Sequence, residues 1–146
     1  MNVIKHYHSL IALKDDYKEF SNKYLLYYDK DWKCWFFMNY KTNPDNNEKF
    51  IIEHLSNQLH IKKDNISLEY IAEEVQTKYS VKEEHNKTYA HRLYKCNILS
   101  FPREIQKDEF CIDGINYKWM SIAEMESDER IKEINSDVVS LVKDNY

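Results

Sequence analysis

The chain has 146 residues, 42% of them apolar and 14% aromatic, enough for one globular unit with a real core. Its net charge is −4, and Lys and Arg are scattered among acids rather than gathered in a stripe, so no basic field exists for a nucleic-acid backbone and duplex DNA or RNA is excluded as a partner. Cys34, Cys96 and Cys111 are odd in number and form no C-x-x-C pair, which excludes a disulfide framework or zinc knuckle and leaves reduced core thiols.

The opening "MNVIKHYHSLIAL" breaks its apolar residues with Lys5, His6 and His8, so it does not read as a signal peptide. No stretch approaches membrane-spanning length, and a soluble, cytoplasmic chain with no membrane partner is the expectation. Residues 1–22 read as an edge strand or a helix of no definite place. "KYLLYYDKDWKCWFFMNYK" is dense in aromatic and aliphatic residues on either side of "DKD", the pattern of two strands joined by a short turn. A loop, "KTNPDNN", follows.

"DNNEKFIIEHLSNQLHI" then predicts an amphipathic helix, with Ile51, Ile52, Leu55 and Leu59 as its buried stripe and Asp45-x-x-Glu48 as its start signal. On its polar side His54, Asn57 and Gln58 fall at i, i+3, i+4, so they project from one patch and could present several groups to one ligand. The plain alternative is a solvated helix face.

Beyond it, "ISLEYIAEEVQTKYS" and "TYAHRLYKCNILSF" read as long strands flanking the polar loop "VKEEHNK". "FCIDGINYKWM" reads as a hairpin turning at Asp113-Gly114, where the chain's one glycine supplies positive φ. Ser121-x-x-Glu124 opens a brief helix, and Ser136-Asp137 caps a last one, "DVVSLVKD". No repeat or Pro/Gly-rich linker marks an internal boundary, so a single α+β domain over 1–146 is expected.

This order, ending in "YKWMSIAEMESDERIKEINSDVVSLVKD", resembles the Nudix fold, a mixed β-sheet sandwiched by helices. In particular it resembles the SMODS-associated Nudix branch found beside bacterial nucleotide-second-messenger synthases in antiviral operons. The resemblance is clearest from about residue 23 to 146. The Nudix box is G-x5-E-x7-R-E-U-x-E-E-x-G-U, with U bulky and apolar. Taking Leu55 and Ile61 as its apolar positions puts Asn39 on the first Gly and Asp45 on the first Glu. Glu53 then falls on the Arg, His54 on the next Glu, Asn57 and Gln58 on the Glu pair, and His60 on the closing Gly. The apolar frame survives and the carboxylates do not.

In the family those carboxylates bind Mg²⁺ or Mn²⁺, which clamps a diphosphate and activates water. Two amides and an imidazole offer a hard cation no counter-charge. The resemblance therefore implies a catalytically degenerate module, with no cofactor and no catalytic residue, that senses a nucleotide or cyclic oligonucleotide in antiviral defence. Its candidate ligand residues are His54, Asn57, Gln58, Glu53, Arg92, Trp35 and Trp119. Trp35, Phe37, Tyr117 and Trp119 could stack on a base, with core burial as the plain alternative, and Arg92 could donate to phosphate.

Two other readings stay open. A divergent hydrolase would gather Glu53, His54 and a loop acid, Glu83 or Glu84, around Mg²⁺ or Mn²⁺. A protein-interaction module, as a homodimer or with a defence-operon partner, would need no small ligand. Strand alternation sends only one of Glu73 and Glu74, and one of His91 and Arg92, toward any cleft. Glu83, Glu84 and His85, in the polar loop, otherwise read as solvated.

Overall fold

The structure, a computed structural model, describes residues 5–41, 47–80 and 85–145, with the backbone alone for 5, 6, 76–80 and 85–89. The strands are β1 (Lys5–Leu13), β2 (Lys23–Asp29), β3 (Cys34–Lys41), β4 (Ile66–Ser80), β5 (His85–Ile98), β6 (Glu109–Ile112) and β7 (Ile115–Ser121). The helices are α1 (Glu48–Leu59), α2 (Ile122–Ser127) and α3 (Glu129–Asn145). The seven strands form one mixed sheet in the order β4-β5-β1-β3-β2-β7-β6, so the architecture is α+β.

The N-terminal segment is a correction to the sequence reading. β1 lies inside the sheet, parallel to β5 from Lys5↔Thr88 to Leu13↔Cys96 and antiparallel to β3. "LIAL" is the trace of that position. Leu10 and Ala12 bury in one core cluster while Ile11 and Leu13 bury in the other, as a strand covered on both faces requires.

The helices divide between those clusters. α1 covers the first through Ile51, Leu55 and Leu59, each essentially fully buried, with half-buried Ile52 packed against the same core as expected. Such burial contributes about 1.5–3 kcal/mol per side chain before entropy is counted. α2 and α3 cover the other through Met125, Ile131, Val138, Val139, Leu141 and Val142.

The helix ends follow their local chemistry. α1 starts after Asn47, with Glu48 in its first turn, while Asp45 lies outside the described residues. It stops at His60, which is left-handed at φ 56° and ψ 45° and donates its backbone N–H to Ser56 O. The α2 start is reciprocal: Glu124 N donates to Ser121 Oγ at 3.1 Å and Ser121 N to Glu124 Oε1 at 3.2 Å. α3 starts earlier than Ser136-Asp137 suggested, because Ile131 N donates to Asp128 Oδ1 at 2.9 Å. Asn135 (φ −133°, ψ 18°) interrupts it, so the expected last helix is its second half. The β6–β7 turn takes the expected form, with Asp113 at φ 52° and Gly114 at φ 82°. Among the described residues no helix is long and apolar enough to cross a membrane.

Candidate functional site

β3 carries Tyr40, 9% exposed, beneath the polar flank of α1. The His54 imidazole lies over its ring at 5.4 Å between centroids and 29° between planes, and Phe50 meets the other side of His54 edge-on at 4.2 Å. One turn further along, Tyr40 OH donates to Gln58 Oε1 at 2.5 Å. Burial, then the neighbouring Tyr117, Cys96 and Tyr27, push the Tyr40 phenol well above the usual tyrosine range, so it remains a donor.

Two of the three polar helix residues thus close on one buried phenol. Asn57, on the outer side of the turn, is exposed. Glu53 is exposed too and turns away to Lys63, with 3.1 Å between Nζ and Oε1, and that hydrogen bond and charge lower its pKa. His60 stands where the resemblance puts the closing Gly of the box, and it keeps the left-handed backbone that a glycine serves best.

Arg92 extends the same face of the sheet. Ser9 on β1 pairs with Tyr40 on one side and with Arg92 on the other, and Arg92 pairs with Glu73 of β4. The residues Glu73, Arg92, Ser9 and Tyr40 therefore form a row across four strands on the side covered by α1. Arg92 is 17% exposed, its Nε is 3.5 Å from Glu73 Oε1, and its guanidinium lies 4.9 Å over the Tyr7 ring. Alternation sends His91 and Glu74 to the opposite face, where His91 is buried.

The remaining aromatic candidates separate. Trp35 is half-buried in an aromatic groove with Tyr28, Phe110 and Tyr117, and Lys118 Nζ is 5.8 Å from its ring. Trp119 offers no stacking face, because it is 1% exposed and its indole N–H donates to Ile105 O at 2.7 Å, so its place among the ligand candidates is corrected to a core role. Phe37 and Tyr117 are buried likewise. Glu83 and Glu84 lie outside the described residues, as does the side chain of His85.

Sequence reasoning missed Tyr40, Phe50, Tyr7 and Ser9 as members of this face. Tyr40 could be read as a strand residue, but its meeting with His54 depends on how β3 sits under α1, which no local pattern encodes. The face as a whole presents a guanidinium, exposed amide donors and aromatic edges, a set suited to phosphate and base. Among its described residues no carboxylate is left unpaired for Mg²⁺ or Mn²⁺: His54 and Gln58 are engaged by Tyr40, Asn57 is uncharged, Glu53 is paired with Lys63 and Glu73 with Arg92. Among the described residues no group of three or more His, Cys, Asp or Glu side chains could hold a metal ion.

No protein-family model matches the chain, and no curated protein does. Solved structures do match. One of the C. elegans Ap4A hydrolase superposes at TM-score 0.51 with 18% identity, covering 92% of each chain. A binary complex of a C. elegans Ap4A hydrolase reaches 0.54 at 14% identity, over 93% of this chain and 95% of that one. A NUDIX hydrolase from Nitrosomonas europaea reaches 0.51 at 13%, over 85% and 77%. The class defined here is one of fold: this chain is similar in architecture to Nudix hydrolases and has the Nudix fold.

Proposed function

We propose that the chain is a Nudix-fold binding module for a nucleotide-derived ligand, a nucleotide or cyclic oligonucleotide, taken without Mg²⁺ or Mn²⁺ at α1. One observation carries this reading: the helix positions that would hold a metal in the Nudix box are His54 and Gln58, closed on Tyr40 by a ring stack and a hydrogen bond. With no carboxylates there, the like-charge repulsion that would oppose a phosphate is absent, and the Asn57 amide and Arg92 can donate to phosphate oxygens. The likeness of the C-terminal segment to the SMODS-associated branch supports a place in bacterial antiviral defence, beside a synthase of the nucleotidyltransferase type.

A hydrolase reading is favoured by a different observation, that the solved structures named above as sharing this fold are hydrolases. In it Glu53 and His54 would work with Glu83 or Glu84 around a divalent metal. The two separate in one experiment. Melting temperature is measured in EDTA with a panel of nucleotides and cyclic oligonucleotides, and product release is measured with Mg²⁺ or Mn²⁺. A binding module gives a ligand-dependent rise without turnover, because the ligand binds only the folded state, and Asn57→Asp with Gln58→Glu abolishes the rise. Turnover lost in His54→Ala or Glu53→Gln establishes the hydrolase. No shift and no turnover leave an interaction module, tested by its oligomeric state.

A further inference from the structure

From Lys132 to Asp144 the exposed side chains of α3 are Lys132, Glu133, Ser136, Ser140, Lys143 and Asp144. They form one stripe turned away from the sheet, because Val138, Val139, Leu141 and Val142 bury in the core beneath the helix. Set antiparallel against itself about a twofold axis at the level of Val138, the stripe is its own complement. Lys132 then stands opposite Asp144, Glu133 opposite Lys143, and Ser136 opposite Ser140. Each charge meets the opposite charge, and the two serines at the crossing let helices approach to the usual axis separation of about 8–10 Å.

These charges are not locked within the chain. Lys132 Nζ is 3.5 Å from Glu129 Oε1, an Arg130 nitrogen 3.3 Å from Glu133 Oε2, and Lys143 Nζ 3.2 Å from Glu126 Oε1. All three pairs join exposed side chains, are worth little, and exchange readily for a pair across an interface. Asp144 makes no ion pair with a described residue. Lys132 and Glu133 precede the interruption at Asn135, and their long side chains reach across the change of direction there.

A cavity of about 320 Å³ between α2 and α3 opens onto the same stripe. Lys132, Ser136, Ser140 and Lys143 stand at its rim, while buried Met125, Ile131 and Val139 form its floor. A second helix laid along the stripe would cover that apolar floor with the alkyl stems of its own lysines.

We propose that α3 is a self-association surface, docked antiparallel on α3 of a second copy of this chain. The occupant is a second copy because the stripe matches itself: in a twofold interface a residue that meets another is met by it in return, whereas a different partner would require no such symmetry. This surface lies across the sheet from α1, so it stands or falls apart from the reading proposed there.

The test is sedimentation equilibrium of the full chain over a range of concentrations, with thermal melts to confirm that each variant folds. A reversible monomer–dimer equilibrium, weakened by added salt, is expected. Lys132→Glu should weaken the dimer about tenfold or more by setting acid against acid, and Asp144→Lys should do the same by setting cation against cation. The double change, Lys132→Glu with Asp144→Lys, reverses both partners of each pair and should restore native affinity. Asn57→Asp with Gln58→Glu should leave the dimer unchanged, which separates this surface from the α1 face. A chain that is monomeric at every concentration would overturn the proposal. So would a dimer indifferent to both single changes, or one that the double change fails to restore.

Discussion

α1 and α3 cover opposite faces of one sheet and treat their polar residues in opposite ways. α1 is unbroken, Ile51, Leu55 and Leu59 of its apolar stripe are fully buried, and polar residues on its flank are matched: His54 between two rings, Gln58 on a phenol, and Ser56 donating to Ile61 O at 2.5 Å. α3 is interrupted at Asn135, a buried asparagine in non-helical geometry (φ −133°, ψ 18°), and a cavity lies beneath it. A closed polar face stabilises the fold, whereas an open one keeps donors and acceptors available to something else. The helix that resembles the catalytic element of Nudix enzymes is thus the more closed of the two at His54 and Gln58. In the proposed binding reading, the groups that would meet a ligand are Asn57 at its exposed rim and Arg92 along the sheet.

The largest expected effect comes from breaking the closed side. Leu55→Ala removes a fully buried side chain from beneath α1 and should cost about 2–5 kcal/mol in a denaturant melt. Ile131→Val, on the α3 side, should cost only about 0.5–1.5 kcal/mol. A Leu55→Ala loss no larger than that of Ile131→Val, which removes much less side chain, would contradict the full burial of Leu55.

Alkaline pH probes both layers together. Burial pushes the Cys34 thiol from 9.0 to about 11 and Cys96 from 9.0 to about 12, and it pushes the Tyr24 and Tyr117 phenols from 10.0 to about 12. The folded state holds these protons more tightly than the unfolded chain does. Their contribution is therefore fully present below about pH 9 and is lost as pH rises from 9 toward 12. Unfolding free energy measured at intervals should be level up to that point and decline beyond it. A rise above pH 9 would contradict the burial of these groups.

Smaller effects sharpen the comparison at single residues. Tyr40→Phe keeps the ring under His54 but removes the donor to Gln58, and should cost about 0.5–1.5 kcal/mol by thermal or chemical melt. His60→Gly should stabilise by up to about 1 kcal/mol, because glycine adopts the left-handed backbone without penalty. The lost His60–Asp113 contact, between two exposed side chains, offsets little of that gain. A destabilised His60→Gly would mean that this contact, rather than the backbone, governs the end of α1.

Much of this architecture was legible because it is local. The stripe Ile51, Ile52, Leu55 and Leu59, the turn at Asp113-Gly114 and the reciprocal cap of Ser121 and Glu124 are each written within a few residues, and the structure follows them, with Ile52 half-buried at the stripe's edge. The central place of β1 was not legible. Its pairing with β5 joins segments some eighty residues apart, and only the doubly buried run "LIAL" hinted at it. The site behaved the same way. Spacing on α1 grouped His54, Asn57 and Gln58 as one patch, but it could not foresee that Tyr40 would take up His54 and Gln58 and leave Asn57 exposed. Nor could it separate Trp119 in the core from Trp35 at a groove, since an aromatic strand residue reads alike in both.

The central proposal, that α1 presents a surface that takes its ligand without a metal, is tested most directly by Mn²⁺ binding followed by electron paramagnetic resonance. The native chain, without nucleotide, should leave the free Mn²⁺ signal undiminished, while the triple change His54→Glu, Asn57→Glu and Gln58→Glu, which supplies the carboxylates of the box pattern, should bind the ion. Stoichiometric Mn²⁺ uptake by the native chain that disappears in His54→Ala would contradict the account.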